Sequence, residues 1–198
     1  MFYQRAIFPS LVAHLPKKQI TVLTSMRRTG KTTLVKALMD QSSIAQKVYF
    51  DLERIDNREF FAEKNYENIV YALAQRGFNL DQPLLIVIDE IQMAPNLPSV
   101  VKYLYDTYGF KFILTGSSAY YLRNNFNESL AGRKKLFEIY PLSFGEVLTF
   151  NNVPYAPLAD WQQLRYVEAE YHRLKNHYES YIRFGGFPEV VLAESQED

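Results

Sequence analysis

The chain has no cysteine in its 198 residues, so disulfide bridges and thiolate metal sites are excluded, and a reducing compartment fits. It has no excess charge of either sign, because 22 Lys and Arg balance 22 Asp and Glu. Net charge therefore gives no pull toward nucleic acid or anionic lipid, and any basic patch would have to be local. No uninterrupted apolar run approaches the ~20 residues of a membrane span. The opening MFYQRAIFPS lacks the basic-then-apolar order of a signal peptide. A cytoplasmic protein with no membrane partner is expected. Histidine is scarce: His14, His172 and His177 are scattered, and the last two miss the i, i+4 spacing of a helical metal pair. Internal repeats and low-complexity segments are missing too. What is present is 47% hydrophobic, enough for one buried core with a small helical appendage.

The most informative stretch is TVLTSMRRTGKTTL, Thr21 to Leu34. An apolar β-type run (Ile20, Val22, Leu23) ends in a polar turn. Gly30-Lys31-Thr32-Thr33 then opens a helix with Leu34, Val35, Leu38 and Met39 on one face. Strand, phosphate-cradling loop and helix start, in that order, point to a nucleoside triphosphate with Mg²⁺. Backbone N–H groups from Ser25 through Arg28, Thr29, Gly30 and Thr33 can form an anion nest, and the helix start adds partial positive charge. Lys31 supplies a full charge for the β- and γ-phosphates. The Thr32 hydroxyl suits Mg²⁺, and Gly30 lets the backbone pass close to phosphate. One position departs from G-x-x-x-x-G-K-[ST]: the first glycine is Ser25.

Elsewhere the pattern alternates. Ile7, Leu11, Val12 and Leu15 predict a short helix ending at Pro16, with Arg5 and Phe8 as candidates for base contact or for simple packing. Lys47–Leu52 predicts a second strand and Asn57–Gly77 helical structure. Leu84–Ile88 reads as a strand buried on both faces. Pro98–Gly109 predicts a helix, Phe110–Leu114 a strand and Leu136–Tyr140 a fifth. Alternating strands and helices imply a parallel sheet between helical layers. Ser143–Phe150 then reads as a short helix, Asn151–Asp160 as a linker, and Trp161–Phe184 as a longer helix packed on the domain or on a neighbour.

The strand at Leu84–Ile88 ends in Asp89-Glu90, 58 residues beyond Lys31. A carboxylate there can hold Mg²⁺ through water, and Glu90 can polarise a water for attack on the γ-phosphate. A small-molecule kinase would not need that glutamate. Ser117 or Ser118, with Thr115 as a further candidate, can hydrogen-bond the γ-phosphate or the water. Each also reads as an ordinary turn former.

SMRRTGKTTL, LLIVIDEIQ, LTGSSAYYL, SLAGRKKLFEIYPLSFGE and GGFPEVV, in that order, resemble the prokaryotic AAA+-like P-loop ATPases whose loop reads GxRRxGKT. The resemblance implies a P-loop NTPase three-layer α/β/α sandwich: a five-stranded, mainly parallel sheet with the phosphate-loop strand central, the Walker B strand further out, the polar-ended fourth strand between them, and a C-terminal helical extension. Residues 1–150 would be the ATPase core, and 151–198 a linker and helical segment. The resemblance makes Lys31 and Thr32 the Walker A residues, Asp89 and Glu90 the Walker B pair, and Ser117 or Ser118 the γ-phosphate sensor. It also makes Arg133 an arginine finger completing a homo-oligomer, although residue chemistry alone reads Arg133 as a surface ion-pair residue. Arg27 and Arg28 would shape the loop or meet a partner. Longer family members carry a winged-helix and PD-(D/E)xK nuclease-like region after GGFPEVV, so the chain is expected to be a fragment or a short member working with a separate protein or DNA partner. The leading expectation is an Mg²⁺-dependent ATPase. The alternative is a nucleotide-binding regulatory switch that barely hydrolyses.

Overall fold

The computed structural model describes residues 3–116, 130–156 and 165–193. The chain divides into two compact units, one of residues 7–27 and 31–139, the other of residues 1–6, 28–30 and 140–198.

In the larger unit the elements run α1 (Phe8–Val12), β1 (Ile20–Ser25), α2 (Lys31–Gln41), β2 (Gln46–Asp51), α3 (Ile55–Phe61), α4 (Tyr66–Gln75), β3 (Leu84–Asp89), a 3₁₀ turn (Ile91–Met93), α5 (Leu97–Tyr108), β4 (Lys111–Gly116) and β5 (Lys134–Ile139). The five strands form one sheet in the order β2-β3-β4-β1-β5, and every pairing is parallel. Strand alternation sends successive side chains to opposite faces. Ile86, Ile88, Phe112 and Leu114 join Phe61, Ile69, Leu73, Val101 and Leu104 in one core. Leu85, Val87, Leu23 and Ile113 join Leu11, Leu34 and Leu38 in the other. Every residue of β1, β3 and β4 is buried, as a parallel sheet covered on both faces demands. The result is the expected three-layer α/β/α sandwich.

Two details differ from expectation. The middle strand is β4, and β1 lies one place along, between β4 and β5. The fifth strand also starts two residues early, at Lys134, because it pairs with β1 from Ile20 onward.

The smaller unit holds α6 (Phe144–Phe150), α7 (Glu168–Phe184) and α8 (Pro188–Val191). Helix α6 starts in a capping box, with Ser143 and Glu146 each bonding the other's backbone N–H. Helix α7 begins at Glu168 rather than near Trp161. Residues 165–167 are non-helical, and 157–164 lie outside the described residues. Glu168 and Glu170 occupy its first turn, where carboxylates oppose the helix dipole. Leu142, Val147 and Phe150 form the unit's core with Tyr3, Tyr181 and Val191, and Phe144 packs on Tyr178 and Tyr181. Leu142 N donates to Gly186 O at 2.6 Å. No helix among the described residues is long and apolar enough to cross a membrane.

Candidate functional site

At the C-terminal ends of the strands, Asp89 closes β3 as a buried carboxylate. Four donors converge on it. Oδ2 accepts from Thr32 Oγ1 at 2.9 Å and from Tyr49 Oη at 2.7 Å. Oδ1 accepts from the Thr115 hydroxyl and from Glu90 N at 3.2 Å. Register explains the grouping: β2 runs beside β3 with Tyr49 opposite Val87, and β4 pairs Leu114 with Ile88, so Thr115 falls next to Asp89. Burial raises the Tyr49 pKa well above the ordinary phenol value. Its bond to Asp89 and the charges of Asp89, Asp51 and Glu90 raise it further, so the hydroxyl stays a donor.

Glu90 has φ +57° and ψ +49°, a left-handed conformation that costs a non-glycine residue about 1–2 kcal/mol. Strain of this kind gathers at sites where side-chain placement matters. Glu90 Oε1 meets Lys31 Nζ at 2.6 Å, and its Oε2 accepts from the Gln92 amide. Lys31 is the first residue of α2 and is buried. An ion pair removed from water persists only with additional hydrogen bonds, and Gln92 supplies one.

The loop between β1 and α2 places its other candidates singly. Ser25, the last residue of β1, is buried and donates its hydroxyl to Met26 O at 2.8 Å. Arg28 has φ +62° and Gly30 φ +83°. A Cβ on Gly30 would stand 3.7 Å from Pro188 Cγ, an ordinary contact, so backbone conformation rather than crowding calls for glycine there. Thr29 is buried, Thr33 is exposed on α2, and Arg28 makes an exposed pair with Glu189 at 3.6 Å.

Arg5 is not left available for a base. Its guanidinium donates to Glu146 Oε1 (2.8 Å), Tyr140 O (2.8 Å) and Thr29 O (3.0 Å). Burial alone would raise the Glu146 pKa, but hydrogen bonds from Arg5 and from the backbone N–H groups of Ser143 and Ala6 outweigh it and hold the carboxyl below its ordinary range. Phe8 is buried in the core with Leu11.

Arg133 is not brought together with Lys31 and Asp89. Its carbonyl accepts from Ile20 N, at the start of β1, so it stands at the N-terminal edge of the sheet. There Asp106 grips it bidentately, Nε to Oδ1 at 2.8 Å and Nη2 to Oδ2 at 3.1 Å. Ser117 and Ser118 lie outside the described residues; Thr115 is the hydroxyl of that strand that meets Asp89.

Two members of the cluster, Tyr49 and Gln92, had no assigned role in the sequence. Tyr49 sits in the predicted second strand without a functional role there, and only strand pairing shows that its hydroxyl reaches Asp89. Gln92 sits in the string LLIVIDEIQ without a function of its own. Among the described residues no group of three or more His, Cys, Asp or Glu is placed to hold a metal. A cation here would therefore draw on one hydroxyl and one carboxylate, with phosphate oxygens and water filling its shell. That donor set suits Mg²⁺, which keeps several waters.

A family model described as an AAA domain matches residues 17–148. An uncharacterized protein of Methanocaldococcus jannaschii is 30% identical over 182 residues, covering 92% of this chain and 38% of that protein. An uncharacterized protein of Haemophilus influenzae is 30% identical over 180 residues, covering 88% and 41%. The chain thus spans about two fifths of the length of these curated relatives. Among solved structures, a Walker-type ATPase of Pyrococcus abyssi matches with a TM-score of 0.57 at 16% identity, covering 96% of this chain and 65% of that one. The Aeropyrum pernix ORC1 protein, solved in complex with DNA, matches with a TM-score of 0.56 at 12% identity, covering 88% and 49%. Likeness at these identities shows a shared fold.

Proposed function

The chain belongs to the AAA domain family of P-loop ATPase-like proteins, and from that premise we propose that it binds ATP with Mg²⁺ and hydrolyses it slowly. The observation that carries this is the pairing of α2 with the end of β3: Thr32 on Asp89 and Lys31 on Glu90. The four side chains whose chemistry a triphosphate needs lie in two contacts of hydrogen-bond length.

Thr32 and Asp89 would hold the cation, which when bound offsets charge on the β- and γ-phosphates. Lys31 exchanges Glu90 for phosphate oxygens, with Ser25, Arg28, Thr29, Gly30 and Thr33 as candidate loop contacts. Glu90 then has one oxygen tied to Gln92 and the other released, so it can take a proton from a water aimed at the γ-phosphate. Ser117 is the candidate sensor of that phosphate. A conformational change passed to a protein or DNA partner, or to further domains, would be the use of the energy.

Lys31→Ala should weaken ATP binding about 100-fold or more, since it removes charge-assisted contacts to phosphate. Glu90→Gln should keep binding, tighten it a few-fold because Lys31 no longer has to leave a carboxylate, and lower turnover by about 10²–10⁴. An undiminished rate in Glu90→Gln removes the general-base role. The second reading, a switch that holds ATP unhydrolysed, is favoured by the Lys31–Glu90 pair itself, which ties the base to the phosphate-binding cation. Single-turnover measurement separates the two: a switch retains ATP over many minutes.

A further inference from the structure

Asp89 is anchored by more donors than the proposed chemistry asks for. Thr32 is accounted for by the cation and Thr115 by its neighbouring strand position. Tyr49 is not accounted for. Its hydroxyl donates to Asp89 Oδ2, the same oxygen that accepts from Thr32. Its ring is half-buried against the core under α1 and α2, and the Lys36 ammonium of α2 lies 5.8 Å from the ring centre. An aromatic ring on two torsions, packed on one side and hydrogen-bonded at its tip, has little freedom to swing away.

A carboxylate held at both oxygens keeps one orientation. Without Tyr49, Oδ2 keeps only the Thr32 hydroxyl, itself a proposed ligand of the cation, so the carboxylate can turn and offer that oxygen directly to the cation. Mg²⁺ demands compact octahedral geometry and keeps its waters, whereas Ca²⁺ accepts direct carboxylate ligands in looser shells. Groups that hydrogen-bond a metal's ligands commonly set affinity by 10–100-fold.

We infer that Tyr49 is a positioning residue: by fixing the Asp89 carboxylate, it sets the divalent-cation affinity and selectivity of the nucleotide site. This rests on the proposed binding of a nucleotide with a cation. The bland counterpart is that the phenol merely satisfies a buried carboxylate and packs, in which case the cation does not register its loss.

The test is equilibrium binding of a fluorescent, non-hydrolysable ATP analogue to the parent chain and to Tyr49→Phe, in chelator and across titrations of Mg²⁺, Mn²⁺ and Ca²⁺, with thermal melting as a folding control. The inference expects equal binding in chelator, a half-saturating Mg²⁺ concentration raised about tenfold in Tyr49→Phe, and a smaller rise for Ca²⁺, so that the preference for Mg²⁺ over Ca²⁺ narrows. Superimposed Mg²⁺ curves, or an equal shift for all three cations, overturn it. If Tyr49→Phe fails to fold, Tyr49→Leu, which also lacks the hydroxyl on Asp89 Oδ2, is judged by the same two outcomes. A parent chain that binds no nucleotide overturns the proposed function, and this inference with it. That failure is distinct from a parent that binds and a variant that does not differ.

Discussion

Glu90 shows how much chemistry one backbone torsion can place. Its left-handed conformation follows immediately after β3, and its carboxylate meets Lys31 and Gln92. That Lys31 and Thr32 would meet Glu90 and Asp89 was legible in the sequence because each follows a local pattern: a strand into a loop and helix, or an apolar run into two acids. Tyr49 was not, because its role depends on which strand lies beside β3. Arg5, left open between base contact and packing, found its partners beyond the reach of local pattern for a similar reason. Its partners Glu146 and Tyr140 are more than 130 residues away, and no spacing rule connects them. The Arg5–Glu146 pair carries a pH prediction. The Glu146 pKa is lowered in the folded chain, so the unfolded chain binds the extra proton, and the pair's contribution is present above the unfolded carboxyl value and fades as pH falls through the folded one. Glu146→Gln should therefore melt below the parent at about pH 7, with the gap narrowing toward about pH 3. A gap that does not change with pH assigns Glu146 a role independent of its charge.

Among the elements, the strands were the most legible. Continuous apolar runs in β3 and β4 could only be satisfied by cover on both faces, and the two cores take Ile86 and Ile88 on one side of the sheet and Leu85 and Val87 on the other. Strand order was less legible, since it depends on long-range pairing rather than local pattern. The start of α7 was missed because apolar spacing continues through Val167, whereas residues 165–167 are non-helical and α7 begins at Glu168. Two glycines show how differently elements depend on their ends. Gly109 caps α5 at φ +67°, and an added Cβ would meet nothing within 4 Å. Gly109→Ala should cost about 1 kcal/mol from conformation alone. At Gly186 a Cβ would fall 2.1 Å from Leu142 O, a backbone atom that also neighbours the Leu142 N to Gly186 O bond. Gly186→Ala should cost several times more, about 3 kcal/mol or above. Denaturant unfolding followed by circular dichroism ranks the two, and equal costs would contradict the close approach of Leu142 and Gly186.

For the whole molecule, the parallel sheet gives the larger unit two functionally different edges. Asp89 and Thr32 meet at the C-terminal edge, whereas Arg133 and Asp106 meet at the N-terminal edge. An arginine there cannot serve its own chain's Lys31 and Glu90, so any finger role belongs to a neighbouring copy. Under that proposal, specific ATPase activity rises with protein concentration and Arg133→Ala flattens the rise at low activity. Activity independent of concentration and unchanged in Arg133→Ala leaves Arg133 as the partner of Asp106 alone. The proposal on which the others depend is that Lys31 and Thr32 capture a triphosphate. It is tested most directly by titrating the purified chain and Lys31→Ala with a non-hydrolysable ATP analogue in Mg²⁺. Saturable binding by the parent, weakened about 100-fold or more in the variant, is the predicted result. Equal binding by both, or no binding by the parent, would contradict it.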